Sequence, residues 1–294
     1  MASALRAPIP AVVLPSLVRW AMDRRWIGQQ SVPKTDRVLL EGPHSRRTEL
    51  WLVLRALRDL ISGFRALHFV GPCITVFGSA RYDESHEYYA LGREVGRGVA
   101  GLGFTAMTGG GPGLMEAVNR GAREAGGRSV GCNIMLPKEQ APNPYLDRSV
   151  TCHYFFVRKV LLFKYSYAFI GLPGGLGTLD ELSEALTLIQ TGKIEHFPVV
   201  LIGTEYWHSL VDLLHHLAAE GTIDAKDLDL LLVTDDVGTA LEHIQRHTVR
   251  QFGLTRRPRR PSRVLWEPRT PYSAGTRQAQ TPQSAVAPVA RLAR

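Results

Sequence analysis

Apolar and polar positions alternate along this chain in two rhythms. Residues 48–67 (TELWLVLRALRDLISGFRAL) place apolar side chains at helical spacing, which predicts an amphipathic helix. Ile74–Phe77 is a short apolar run ending in Gly78-Ser79 and predicts a buried strand; helix-like 86–101 follows. Strand Phe104–Thr108 leads into Gly109-Gly110-Gly111-Pro112-Gly113, which opens a helix through Ala125. Strand Ser129–Ile134, a Pro-rich loop over 137–147, an extended stretch near 150–156 and a helix over 157–165 come next. Strand Tyr167–Leu172 then runs into Pro173-Gly174-Gly175-Leu176-Gly177, opening a helix through Gln190. Strand Val199–Ile202, helix 205–219, strand Leu230–Val233 and helix 236–247 complete the pattern. Continuous apolar runs alternating with helices predict an α/β fold: a doubly wound parallel sheet with helices on both faces.

The two ends read differently. Residues 255–294 hold nine Arg, one acid and six Pro, too little apolar surface to offset ordering entropy, so 251–294 is expected to be a disordered Arg/Pro-rich tail. That tail carries +8, which leaves the other 254 residues neutral. Residues 1–47 carry +5 and form a flexible N-terminal extension on this reading, with the catalytic domain over 48–250. Basicity confined to the ends argues against a nucleic-acid-binding fold, leaving at most a weak contact through the Arg-rich tail. The apolar stretch Ala11–Val18 is broken by Pro15 and lacks a small-residue cleavage pattern, and no apolar run approaches the ~20 residues that span a bilayer. The expectation is a cytoplasmic protein without a membrane partner. Cys73, Cys132 and Cys152 are odd in number and widely spaced, which favours free thiols in a reducing compartment.

Candidate chemistry sits where strands hand over to helices. Gly turns there let backbone N–H groups approach an anion, and the helix N-terminus adds favourable partial charge. The turn at Gly109–Gly113 is not a dinucleotide fingerprint, because Leu114 stands where that pattern needs Gly. The turn at Gly174–Gly177 carries three Gly in four residues and then Thr178, a plausible phosphate cradle, with Asp180 and Glu181 close behind. Local chemistry alone favours a plainer reading of Thr178…Glu181 as a capping box. Arg158 and Lys159, expected in the first turn of their helix, oppose its macrodipole, and a bound anion would compensate. No His, Cys or carboxylate grouping has metal-ligand spacing, so neither metal nor cofactor is expected.

At these residues the sequence resembles the LOG (LONELY GUY) family, whose signature PGGxGTxxE reads in full from Pro173 to Glu181. FGSAR (77–81), TGGGPGLMEAVNRGA (108–122), LPKEQAPNPY (136–145), FFVRK (155–159) and LTLIQTGK (186–193) extend the likeness over about residues 48–247. The resemblance implies a Rossmann-like homodimer that cleaves the N-glycosidic bond of a nucleoside 5′-monophosphate, a cytokinin riboside monophosphate or AMP, giving free base and ribose 5-phosphate. A general purine-nucleotide nucleosidase and a non-catalytic nucleotide sensor are the alternatives. Family members are often labelled lysine decarboxylases, an activity for which the sequence offers no support. Carried over residue by residue, Arg158 and Glu181 match the catalytic pair. Glu139, Lys159, Gly174, Gly175, Leu176, Gly177, Thr178, Asp180 and Thr187 match substrate contacts, and Ser79, Gly110 and Gly111 are further candidate nucleotide contacts. Glu116 departs from the plant-type pattern, which has Gly there.

Overall fold

The computed structural model describes residue 40 and residues 42–136, 141–194, 197–229 and 231–252. The expectations for residues 1–39, for the 253–294 tail and for Glu139 therefore lie outside the described residues. Seven strands form one sheet: β1 (Cys73–Phe77), β2 (Thr105–Thr108), β3 (Ser129–Ile134), β4 (Arg148–Cys152), β5 (Ser166–Gly171), β6 (Val199–Ile202) and β7 (Leu231–Thr234). Their order is β4-β3-β2-β1-β5-β6-β7, and every pairing is parallel.

Side-chain alternation divides the core into two layers, as a two-residue period requires. Val199 and Leu201 of β6 face one cluster, while Val200 and Ile202 face the other. The first layer lies under α1 (Arg46–Leu67), α4 (Phe155–Tyr165), α5 (Leu176–Gln190) and α6 (Thr204–Ala219). The second is covered by α2 (Glu87–Gly101), α3 (Leu114–Glu124) and α7 (Val237–Phe252). This is a Rossmann-like doubly wound fold. Cys73, Cys132 and Cys152 are free and buried.

Strand order reverses between β1 and β5. The chain winds outward from β1 to β4, returns through α4, and winds out the other way from β5. In such sheets the crevice beyond the carboxyl ends of the two central strands is the ordinary ligand position. Here it receives Gly78-Ser79 from β1 and the Pro173–Gly177 turn from β5. Three bonds clamp that edge: Leu172 N–H to the Phe77 carbonyl (2.8 Å), Ser79 N–H to the Pro173 carbonyl (3.0 Å), and Leu114 N–H to the Ser79 carbonyl (2.9 Å).

Several element boundaries differ from expectation, among them the first helix, which begins at Arg46 inside the expected N-terminal extension. The extended stretch near 150–156 is the edge strand β4, which ends at Cys152, and α4 starts at Phe155 rather than 157. Asp59 of α1 explains the early start: its buried carboxylate accepts the His153 N–H (2.7 Å) and pairs with His153 Nδ1 (3.0 Å), fixing the chain just ahead of the helix. Arg158 thus closes the first turn of α4 and Lys159 begins the second. The last helix runs to Phe252, five residues beyond the predicted end.

Candidate active site

Two helices bring the charged residues together. Arg158, on the helix entering β5, reaches Glu181, on the helix leaving it, with Nη2 2.8 Å from Oε1. The pair is nearly dry, with side-chain exposures of 14% for Arg158 and 1% for Glu181. Burial lifts the Glu181 carboxyl above the ordinary carboxylate range, and Arg158 and then Lys159 pull it part of the way back. Its second oxygen, Oε2, is buried and unpartnered among the described residues, as is Arg158 Nε. The Arg158 guanidinium also lies 5.9 Å from the centre of the Phe155 ring.

The capping box does not form. The N-cap of α5 is Gly175, with no side-chain cap bond, so Thr178 is already inside the helix. Glu181 faces inward to Arg158 instead. Gly175, Leu176 and Gly177 are exposed at this terminus, and the first amides of a helix have no intrahelical acceptor, so they can receive an anion. Thr178 N–H turns back to the Gly175 carbonyl (3.0 Å). Gly174 must be Gly, because an added Cβ would collide with Thr178 Oγ1. Its carbonyl accepts from Tyr206 Oη of α6 at 2.7 Å. A peptide's N–H points opposite its C=O. That bond therefore also sets the direction of the Gly175 amide.

A cleft of about 700 Å³, a size suited to a small ligand, is lined by Arg158 and the Gly174–Thr178 turn; Glu181, bonded to Arg158, is buried and is not among its lining residues. Ser79, Arg158 and Gly174 to Thr178 line it, as predicted positions; Arg81, Tyr82, Met115 and Tyr206 also do so and were not anticipated. Tyr206 follows β6 by four residues at the same sheet edge, but its sequence context carries no motif. Only the strand order puts it there.

Other predicted contacts sit apart. Lys159 bonds Asp180 Oδ1 (2.9 Å) and lies 2.9 Å from Glu184 Oε2, bracing α4 against α5 on the outer side. Burial works against the Lys159 charge, but the bonds to Asp180 and Glu184 outweigh it and raise its pKa. Thr187 is exposed further down α5, where its hydroxyl donates to the Ser183 carbonyl, and it is not part of the cleft wall. Gly110 and Gly111 are held internally. Gly110 N–H donates to Thr108 Oγ1 (2.9 Å), and Asn143 donates to both their carbonyls (3.0 Å each). Glu116, the departure from the plant-type pattern, accepts from Tyr89 (3.0 Å) and ties α3 to α2. Among the described residues no three His, Cys, Asp or Glu side chains group as a metal site, and no helix is long and apolar enough to cross a membrane.

The fold defines a Rossmann-like protein with a cleft at its switch point. Residues 115–244 match the family model described as "Possible lysine decarboxylase". A cytokinin riboside 5′-monophosphate phosphoribohydrolase of Rhodococcoides fascians is 31% identical over 178 residues, 58% of this chain and 88% of that protein. One from Mycobacterium tuberculosis is 35% identical over 159 residues, covering 53% and 84%. The chain belongs to this family, the LOG family of the sequence resemblance. Among solved structures, the Moco carrier protein of Chlamydomonas reinhardtii is similar, with 25% identity and a TM-score of 0.46 over 61% of this chain and 99% of that one.

Proposed function

We propose that this protein hydrolyses the N-glycosidic bond of a nucleoside 5′-monophosphate, releasing the free base and ribose 5-phosphate. The observation that carries the reading is the buried Arg158–Glu181 pair with one Glu181 oxygen unpartnered, next to an exposed helix N-terminus at the cleft. The relatives' names supply the substrate class: a phosphorylated riboside, with adenine-type bases, cytokinins included, as the first to test.

The 5′-phosphate sits on the amides of Gly175, Leu176 and Gly177, where the α5 dipole favours an anion. That places the ribose toward Glu181, just over one helical turn further on. As the C1′–N bond breaks, its electron pair leaves with the base and the sugar gains oxocarbenium character. A carboxylate held in a dry site stabilises that charge and orients water toward C1′, the water's proton passing to Glu181 Oε2. Arg158 favours the ionised form of Glu181 against the upward push of burial, and its guanidinium can donate to the phosphate or to the departing base.

The test is Glu181→Gln, assayed with AMP and with isopentenyladenosine 5′-monophosphate. The reading expects turnover to fall by about 10²–10⁴-fold while nucleotide affinity stays within a few-fold. Near-wild-type turnover would remove Glu181 from the chemistry.

A further inference from the structure

Arg158 stands where its own helix supports it least. α4 has no acid in its first turn, and its N-cap, Tyr154, makes no side-chain cap bond. Arg158 and Lys159 add positive charge near the end where the helix macrodipole is already positive. The anchor for this helix start comes instead from α1, which lies ahead of residues 115–244, the part that matches the family model.

That anchor is Asp59. It is 5% exposed, on a helix whose inner side packs Ala56, Leu60 and Phe64 on the core. A carboxylate taken out of water is costly unless it is fully paired. Both of its oxygens are paired, and with one residue. Oδ2 accepts the His153 N–H at 2.7 Å, and each oxygen lies 3.0 Å from His153 Nδ1. The next residue, Tyr154, is buried, and its carbonyl accepts the Arg158 N–H at 3.2 Å. Two hydrogen bonds through adjacent residues thus run from the Asp59 carboxylate to the Arg158 backbone. Phe155, which opens α4, carries the ring 5.9 Å from the Arg158 guanidinium, so the same anchor sets a second contact of that group.

Local choices that oppose stability cluster where function needs them. Three meet here: an uncapped helix start, two cations close to its positive end, and a buried carboxylate on α1. The third answers the other two.

We propose that Asp59, acting through His153, is a positioning residue for Arg158: it fixes the start of α4 so that the guanidinium meets Glu181 and the cleft in one geometry. The inference rests on the proposed part of Arg158 and Glu181 in bond cleavage, and it brings a helix outside the family-model match into that machinery. Misplacing such a group by about 1 Å costs on the order of 10²-fold in rate.

Position and charge have opposite effects at Glu181. Burial raises its carboxyl, Arg158 and Lys159 of α4 lower it, and Asp180 and Glu184 of α5 raise it. The Cys132 thiol of β3 also lies within electrostatic range. Deleting the Asp59 charge alone removes a like charge and so lowers the Glu181 midpoint, whereas loosening Arg158 raises it.

The test compares Asp59→Ala with Asp59→Asn. The readouts are kcat and KM for AMP and the titration of the Glu181 carboxyl, followed by carbon-13 NMR in the ligand-free protein. Asp59→Ala should lower kcat about 10–100-fold with a smaller change in KM. It should also raise the Glu181 midpoint by roughly half a pH unit, about three-fold in the ionised fraction. Asp59→Asn keeps an acceptor for the His153 N–H, so it should recover most of the turnover and hold the midpoint at or below that of the unaltered protein. Should Asp59→Ala not fold, the decision passes to His153→Ala, which loses the ring contact and should show the same upward shift at smaller amplitude. The NMR titration needs no substrate: a protein inactive on AMP removes the proposed function, and the Glu181 midpoint still decides whether Asp59 holds Arg158. A folded Asp59→Ala whose midpoint stays or falls overturns the proposal, as does one that loses stability while kcat is undisturbed.

Discussion

Arg158 and Glu181 lie 23 positions apart, on the helices that enter and leave the central strand β5, and meet at 2.8 Å in a nearly dry setting. Neither charge is tolerable there alone. Breaking one partner out of a buried pair costs ~3–5 kcal/mol, because the other charge is stranded. Glu181 lies on the helix that the Gly174–Gly177 turn opens, so the acid, the cation and the turn are held together.

Arg158→Ala should therefore show a pH-dependent loss of stability. Without Arg158, the Glu181 carboxyl, already raised by burial, rises further. A group whose pKa is raised on folding contributes stability below its unfolded pKa and loses it as pH climbs through the folded value. The variant should approach wild-type stability near pH 4 and fall behind progressively toward neutrality. Thermal melts across that range check this; a deficit independent of pH would contradict it.

On the proposed function, the activity of the unaltered protein should also depend on this carboxyl. The proposed mechanism uses the ionised Glu181, and burial holds its carboxyl above the ordinary carboxylate range. The acid limb of the kcat/KM profile should lie above pH 4.5, and it should be missing from whatever residual activity Glu181→Gln retains.

Tyr206→Phe removes the bond to the Gly174 carbonyl and leaves the ring packed. If that bond aims the Gly175 amide, affinity for AMP and for ribose 5-phosphate should drop several-fold, in line with ~1 kcal/mol for one hydrogen bond, while kcat changes less. Gly174→Ala, which forces Thr178 aside, should weaken both ligands more severely. Calorimetric titrations separate these outcomes, and equal binding by Tyr206→Phe would show the loop to be set by other contacts.

Asp59→Ala should lower stability by about 1–3 kcal/mol, since it strands the His153 N–H and its ring at the start of α4. Asp59→Asn, able to accept one of those bonds, should cost less. Urea denaturation of the two variants makes the comparison.

Much of the fold was legible because β1, β2, β5 and β6 are short, mostly apolar runs that lead into Gly- or Pro-containing turns. The start of α4 was not, since Phe155 and Phe156 suit an extended chain as well as a helix. What decides there is Asp59, 94 positions away from His153. The Gly174–Glu181 segment offered a plausible phosphate cradle, but its local pattern favoured a capping box. The N-cap at Gly175 and the turn of Glu181 toward Arg158 exclude the box, and neither follows from local spacing. Tyr206 and Tyr82 reach the cleft through the order of β1, β5 and β6, which no spacing along the chain encodes. Thr187, matched by motif alone, is exposed and is not among the residues that line the cleft.

The most direct test is chromatographic analysis of products after incubating the purified protein with AMP and with isopentenyladenosine 5′-monophosphate. Free base and ribose 5-phosphate in equal amounts from at least one of them is the predicted result, with the faster substrate naming the base the cleft prefers. Binding of both nucleotides without release of base from either would contradict the account and leave the site a receptor for nucleotides.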